Sequence, residues 1–296
     1  MIDCRLRGNY RLRGSKHTNP LAVGDRVEFV LQEDGTGVIN EVMDRRNYIV
    51  RKATKLSKQT HVIAANIDRL CVVATLGNPR TSTGFIDRLL VTAEAYHIPA
   101  CVIFNKSDLY TETLWELQNG LREIYESAGY PVFVVSALSG EGIEELCRAI
   151  AGQVVLFSGH SGVGKSAMLN AIAPGLNLRV GAVSEWSLKG KHTTTFAEMF
   201  PFDISLHEDG FVRRTFLIDT PGLKEFGMVQ FSPEELSHFF PEMRNLLHGC
   251  RFSNCTHRHE PHCAIKEAVE KGTISEERYG NYLGIYDQIE NDNQTR

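Results

Sequence analysis

The chain has 296 residues, 42% of them hydrophobic and 23% charged, with a formal net charge of −4. That length allows two or three modest domains with real apolar cores, and the composition excludes a disordered or fibrous chain. No apolar run reaches the roughly 20 residues needed to cross a bilayer, and the opening MIDCRLRGNYRLRG lacks the apolar stretch of a secretory signal, so a cytoplasmic protein with no membrane partner is expected.

Residues 1–64 contain 12 lysines and arginines against 7 acidic residues, a net of +5 that leaves −9 for the remainder. A basic head on an acidic chain suggests a polyanionic partner for the head. The head reads as about five short strands broken by turns, among them Arg26 to Leu31, Gly37 to Met43 and Tyr48 to Arg51. Such a pattern predicts a small barrel, an OB-fold or an SH3-like one. Arg45, Arg46, Tyr48, Arg51 and Lys52 interleave cations with an aromatic ring, as a single-stranded RNA surface does; a solvated loop beside a strand has the same look.

From about residue 65 strands alternate with helices. IDRLCVVAT, ACVIF, PVFVVSA and QVVLFSG read as buried strands, and GFIDRLLVTAEAYH, TETLWELQNGLREIYESAG and GIEELCRAI as helices between them. This predicts a doubly wound, mostly parallel α/β sheet over 65–228 with its ligand at the carboxyl ends of the strands.

Two of those ends carry polar groups suited to a guanine base. CVIFNKSD closes a strand with Asn105, Lys106 and Asp108. A carboxylate at Asp108 can accept from the N1–H and N2–H₂ edge of guanine, a pair of donors adenine lacks. Asn105 would brace the loop and the Lys106 stem would cover the purine face. Ser136 and Ala137, in SAL, would offer a backbone N–H to the guanine O6. Helix N-capping by Ser107 or Asp108 is the competing structural reading of NKSD.

GHSGVGKS supplies a phosphate cradle: Gly159, His160, Ser161, Gly162, Val163, Gly164, Lys165 and Ser166, between a strand and the helical KSAMLNAI. Its amides would converge on phosphate oxygens at a helix N-terminus, Lys165 would reach the β- and γ-phosphates, and Ser166 would ligate Mg²⁺. GKHTTT at 190–195 suits a mobile switch in which Thr194, or its neighbours Thr193 and Thr195, joins the Mg²⁺ shell. FLIDTPG ends a strand with Asp219, which would hold Mg²⁺ through water, and Gly222, whose N–H would sense the γ-phosphate. Ras-like GTPases place a water-orienting glutamine directly after this motif, whereas this chain has Leu223. Slow intrinsic turnover activated by a partner is therefore expected, with His192 as the internal candidate for handling the water.

Beyond it, residues 229–296 read as a small helical domain, with SPEELSHFF, AIKEAVEKG and EERYGNYLGIYDQIE as its helical segments. An odd count of 7 cysteines argues against a disulfide framework. Cys250, Cys255, His257 and Cys263 form C-x4-C-x-H-x5-C, a complete tetrahedral donor set for structural Zn²⁺, with His248, His259 and His262 as competing fourth ligands.

The order NKSD, SAL, GHSGVGKS, HTTT, DTPG resembles the circularly permuted GTPases. With the basic β-domain ahead and the Cys/His domain behind, the chain is similar over essentially its whole length to the RsgA/YjeQ family of small-ribosomal-subunit-dependent GTPases. The resemblance implies an N-terminal OB-fold, hydrolysis of GTP to GDP and phosphate with Mg²⁺, and one structural zinc with His257 as its fourth ligand. It also implies the 30S subunit with its 16S rRNA as partner, in late subunit maturation. A monomer is expected, since no heptad pattern or large apolar surface calls for an oligomer. An alternative function is an RNA-binding assembly or checking factor for which GTP is only a conformational ligand; a P-loop ATPase or kinase is disfavoured by NKSD. The permuted order also sends DTPG directly into the Cys/His region, which would couple a γ-phosphate sensor to that module.

Overall fold

The structure, a computed structural model, describes residues 2–7, 19–52, 60–174, 197–205, 212–219 and 232–294. In the head, β1 (Cys4–Leu6), β2 (Val27–Leu31) and β3 (Gly37–Val42) form one sheet in the order β1-β3-β2, and β4 (Tyr48–Lys52) pairs antiparallel with β5 (Thr60–Ala65). β2 turns into β3 because Asp34 Oδ1 accepts from the Thr36 amide and hydroxyl at 2.9 and 2.7 Å, an Asp-nucleated turn. Ile49 and Ala64 share an apolar cluster with Ile67, Leu70 and Leu90 of the following region. The β4–β5 pair is thus anchored on the α/β core. Two cations of the expected RNA surface have structural partners: Arg45 grips Asp25 with two bonds of 2.7 Å, and Arg46 reaches Asp68 at 2.6 Å. Tyr48 is exposed.

Among the described residues six strands make the central sheet: β6 (Arg69–Ala74), β7 (Ala100–Asn105), β8 (Val132–Val135), β9 (Val154–Ser158), β10 (Glu198–Ser205) and β11 (Val212–Asp219), in the order β10-β11-β9-β6-β7-β8. All neighbours are parallel except β10 and β11. The strand period of two divides β6 between two layers. Leu70, Val72 and Ala74 face a cluster with α1 (Thr83–Ala95) and α2 (Glu112–Ser127), while Cys71 and Val73 face one with α3 (Ile143–Ile150) and α4 (Lys165–Ile172). From β6 the chain moves outward through β7 and β8, then returns to β9 on the other side of β6. The strand order therefore reverses between β6 and β9, where a doubly wound sheet opens a crevice at its carboxyl edge.

The C-terminal region has a 3₁₀ stretch (Pro233–Phe239), α5 (Pro241–Arg244), α6 (Ala264–Glu270) and α7 (Glu276–Gln294). SPEELSHFF, read from sequence as helical, takes the tighter 3₁₀ form. It opens on a Ser232–Glu235 capping box and stops before Pro241, whose ring disfavours helical backbone at Phe240. Leu236, Phe240, Met243, Tyr282 and Ile285 pack here around Val91 of α1, so the helical region shares its core with the α/β sheet's flanking helix. Among the described residues no helix is long and apolar enough to cross a membrane.

Candidate functional site

The phosphate-loop sequence leaves β9 at the strand reversal and enters α4 at Lys165. Two glycines are sterically required. At Gly159 a Cβ would lie 2.3 Å from the Val73 carbonyl oxygen; at Gly164, where φ is +89°, it would lie 2.5 Å from Asn105 Nδ2. Val163 points into the core, whereas His160, Ser161 and Gly162 are exposed along the turn. Lys165 Nζ donates to the carbonyls of Gly159 and His160 at 2.7 and 2.8 Å. Ser166 is buried at the first turn of α4. Burial and then the Lys165 ammonium hold the His160 imidazole below its ordinary pKa of 6.5.

NKSD follows β7 two strands away from β9, and a single side chain joins the two loops. Asn105, 1% exposed, donates from Nδ2 to the Val163 carbonyl at 2.8 Å and accepts at Oδ1 from the Ala137 amide at 3.2 Å. The bracing expected of Asn105 thus spans the phosphate loop, NKSD and SAL together. Ala137, whose amide the sequence assigns to the base, donates here to Asn105. Ser136 Oγ donates to Asp108 Oδ1 at 2.5 Å and accepts from the Ser139 amide at 3.1 Å, which fixes the carboxylate against the SAL loop. Lys106 sits at φ +69° and donates to the Asn78 carbonyl at 2.7 Å. The Gly77–Arg80 turn after β6 is the part of the site that sequence reasoning passed over: Asn78 holds Lys106, and Pro79 Cδ lies 3.4 Å from a Cβ placed on Gly162. Its signal was a Gly-Asn-Pro cluster at the end of a buried strand.

His192, Thr194 and Gly222 lie outside the described residues; Asp219 ends β11, with its side chain outside them.

Cys250, Cys255, His257 and Cys263 place one donor atom each within 4.8 Å of one another. His257 Nδ1 lies 3.6 Å from Cys250 Sγ and 3.4 Å from Cys263 Sγ. Metal–ligand bonds of about 2.0–2.3 Å to a common centre fit donors at such separations, so the set suits a closed zinc site. The competing histidines His248, His259 and His262 are not part of the cluster. Burial lowers the His257 pKa, which keeps its imidazole neutral, the form that ligates. The loop is tied from outside by Glu260, which accepts from the Thr256 amide and hydroxyl at 2.7 and 2.6 Å and from the Arg258 and His259 amides at 3.0 and 3.1 Å. Burial opposes the charge on Glu260, yet these bonds prevail and bring its pKa down from 4.5 to about 2. From α7, Tyr279 and Tyr282 donate their hydroxyls to the carbonyls of His257 and Thr256 at 2.7 and 2.8 Å.

Residues 42–229 match the model of the RsgA GTPase family, and residues 1–39 match the RsgA N-terminal domain. The chain is 48% identical over 289 residues to a small ribosomal subunit biogenesis GTPase, RsgA 2, of Bacteroides thetaiotaomicron, covering 98% of this chain and 90% of that protein. It is 47% identical over 297 residues to the small ribosomal subunit biogenesis GTPase RsgA of Flavobacterium psychrophilum, covering 99% and 87%. The structure is similar to the crystal structure of YjeQ from Thermotoga maritima, with a TM-score of 0.77, 38% identity and coverage of 97% and 89%. It also resembles YloQ, described as a circularly permuted GTPase, with a TM-score of 0.71, 26% identity and coverage of 98% and 87%.

Proposed function

This chain belongs to the RsgA GTPase family, and from that premise we propose that it binds the 30S subunit, hydrolyses GTP under its stimulation and acts in late small-subunit maturation. The observation that carries the reading is the buried Asn105 amide, which holds the phosphate loop, NKSD and SAL around one crevice. In that crevice Asp108 reads the guanine edge, Lys106 covers the purine and the amides of residues 159–166 receive the phosphates. The base contact at O6 comes from the SAL loop, with Ser136 setting the Asp108 carboxylate. Lys165 leaves its two carbonyl partners for phosphate oxygens. Mg²⁺ neutralises phosphate charge when bound; the hydroxyls of Ser166 and Thr194 and, through water, Asp219 supply the hard oxygen donors it takes, and Ser166 stands beside Lys165 as that role requires. Zn²⁺ on Cys250, Cys255, His257 and Cys263 is structural. The head, residues 1–64, is an OB-fold that meets 16S rRNA; residues 65–228 are the permuted GTPase and 229–296 the zinc domain. The protein works as a cytoplasmic monomer.

The direct test is GTP turnover with and without 30S subunits. Stimulation of about tenfold or more is expected, a threshold set well below the roughly 10³–10⁵-fold by which a partner's activating group can speed phosphoryl transfer. His192→Ala is expected to remove about a hundredfold of the stimulated rate with GTP binding intact. No stimulation in the unaltered protein would favour the alternative reading, a checking factor that uses GTP as a conformational ligand.

Base selection is tested separately. Asp108→Ala removes a charged acceptor of two hydrogen bonds, a loss of about 3 kcal/mol, so GDP should bind about a hundredfold more weakly. ADP, titrated alongside, should show no such change. Equal affinity of the unaltered protein for GDP and ADP would refute the guanine assignment.

A further inference from the structure

Helix α1 touches the phosphate loop at one end of its first turn and the C-terminal helices along its length. The Phe85 ring stacks on the His160 imidazole, with centroids 3.6 Å apart and planes inclined by 26°. On the other side of the same turn, Thr83 bonds Glu277, and Asp87 accepts from Arg278 at 2.6 Å and from Asn281 at 2.7 Å. Arg278 also holds Glu242 at 2.7 and 3.1 Å and lies 4.7 Å from the centre of the Phe240 ring. Near the end of α1, Glu94 accepts from Arg244 at 3.0 Å.

The α1–α7 joint is stiff for a physical reason. Asp87 and Arg278 are 0% and 2% exposed, so displacing one from the other strands a charge out of water. α7 in turn holds the Cys/His loop through Tyr279 and Tyr282. At the opposite end, the His160 carbonyl is one of two that receive Lys165. A phosphate competes for the same ammonium, so the backbone of His160 is a place where contacts differ between nucleotide states.

We propose that Phe85 is a positioning residue whose stack on His160 couples the phosphate loop to α1, and that the α1–α7 joint carries this coupling to the Cys/His loop. Nucleotide state then alters the C-terminal region, and whatever docks on that region alters nucleotide affinity by the same factor. The coupling rests on the crevice being the GTP site. It needs no contribution from the stretch after Asp219.

Amide hydrogen exchange of the full, zinc-loaded protein tests this, without nucleotide and saturated with GDP or a non-hydrolysable GTP analogue. In the unaltered protein, protection across residues 250–263 and 276–294 should differ between states by about fivefold or more. Phe85→Leu keeps apolar volume and removes the planar stack; the difference should fall by at least half, while protection of α7 in the nucleotide-free protein stays the same. His160→Ala, breaking the stack from the loop side, should give the same loss, with saturation set from its own measured GDP affinity. An undiminished difference in both variants would overturn the proposal, as would GDP binding without any change in α7. Failure of the unaltered protein to bind GDP at all would overturn the site reading and the coupling with it.

Discussion

Arg278→Met is expected to destabilise the protein by about 3–5 kcal/mol, because it leaves Asp87 as an uncompensated charge in the interior. Few substitutions reach that size, and it would be a large share of the stability of an ordinary domain. Asp87 is 0% exposed and has two strong donors, Arg278 at 2.6 Å and Asn281 at 2.7 Å. Burial pushes its pKa up against the pull of Arg278. With the guanidinium gone, burial is opposed by one amide alone. The variant also loses the Glu242 bridge and the packing of the guanidinium plane against Phe240. Denaturant unfolding measures the loss directly. Asp87→Asn combined with Arg278→Met should recover part of it, since the stranded charge is then absent; a double variant no more stable than Arg278→Met would refute this account. Should the transition split in two, the C-terminal helices are expected to melt first, because they lose their charged anchor to α1.

Removal of the metal should have the second large effect. Zinc binding in small Cys/His domains is worth about 10–16 kcal/mol in apparent terms, much of it folding energy of the surrounding loop. The segment 250–263 has little regular structure of its own: the only helical turn touching it ends at Gly249, and α6 begins at Ala264. Its order depends on the four ligands, the Glu260 knot and the two tyrosine hydroxyls. Chelation, or Cys263→Ser, is expected to abolish exchange protection across 250–263 and to loosen α6, while the six-stranded sheet keeps its protection. Burial raises the thiol pKa of Cys255, up to about 12, and that of Cys263. These two metal-free thiols therefore stay protonated at neutral pH, and zinc binding must release protons. Affinity should rise with pH, and acidification should free the metal; a metal content unaffected by Cys263→Ser would exclude the assigned ligand set.

Much of this was legible in the sequence because it depends on short-range chemistry. GHSGVGKS specifies its turn through glycines and its position through the apolar run before it; the tertiary contacts at Gly159 and Gly164 explain why no side chain fits there. NKSD and SAL each close a buried strand, and a parallel sheet brings all such ends to one edge. The Cys/His spacing by itself supplied a complete donor set but left several histidines in competition, and only the folded loop, which buries His257, separates it from the exposed His248, His259 and His262.

Other features had no local signature. β10 was not foreseen, since EMFPFDIS carries a proline. Pro201 is tolerated because β10 is an edge strand paired only with β11 among the described residues. Asp87 reads as the polar face of an amphipathic helix, and Arg278 as an ordinary charge in EERYGNY. Nothing within a few residues of either announces a partner 191 positions away. The same holds for Phe85 and His160, each unremarkable in its own helix or loop.

The amino-acid sequence by itself determined the nucleotide chemistry, the reversed motif order and the three cysteine donors of the metal site, because each motif is encoded by residues a few positions apart on one strand end or loop. Only the tertiary structure decided how these parts are joined: Asn105 across three loops, Phe85 on His160, and Arg278 sealed between α1 and the C-terminal helices. Those joints depend on which surfaces meet when sheet and helices pack, and burial there turns ordinary polar residues into strong constraints.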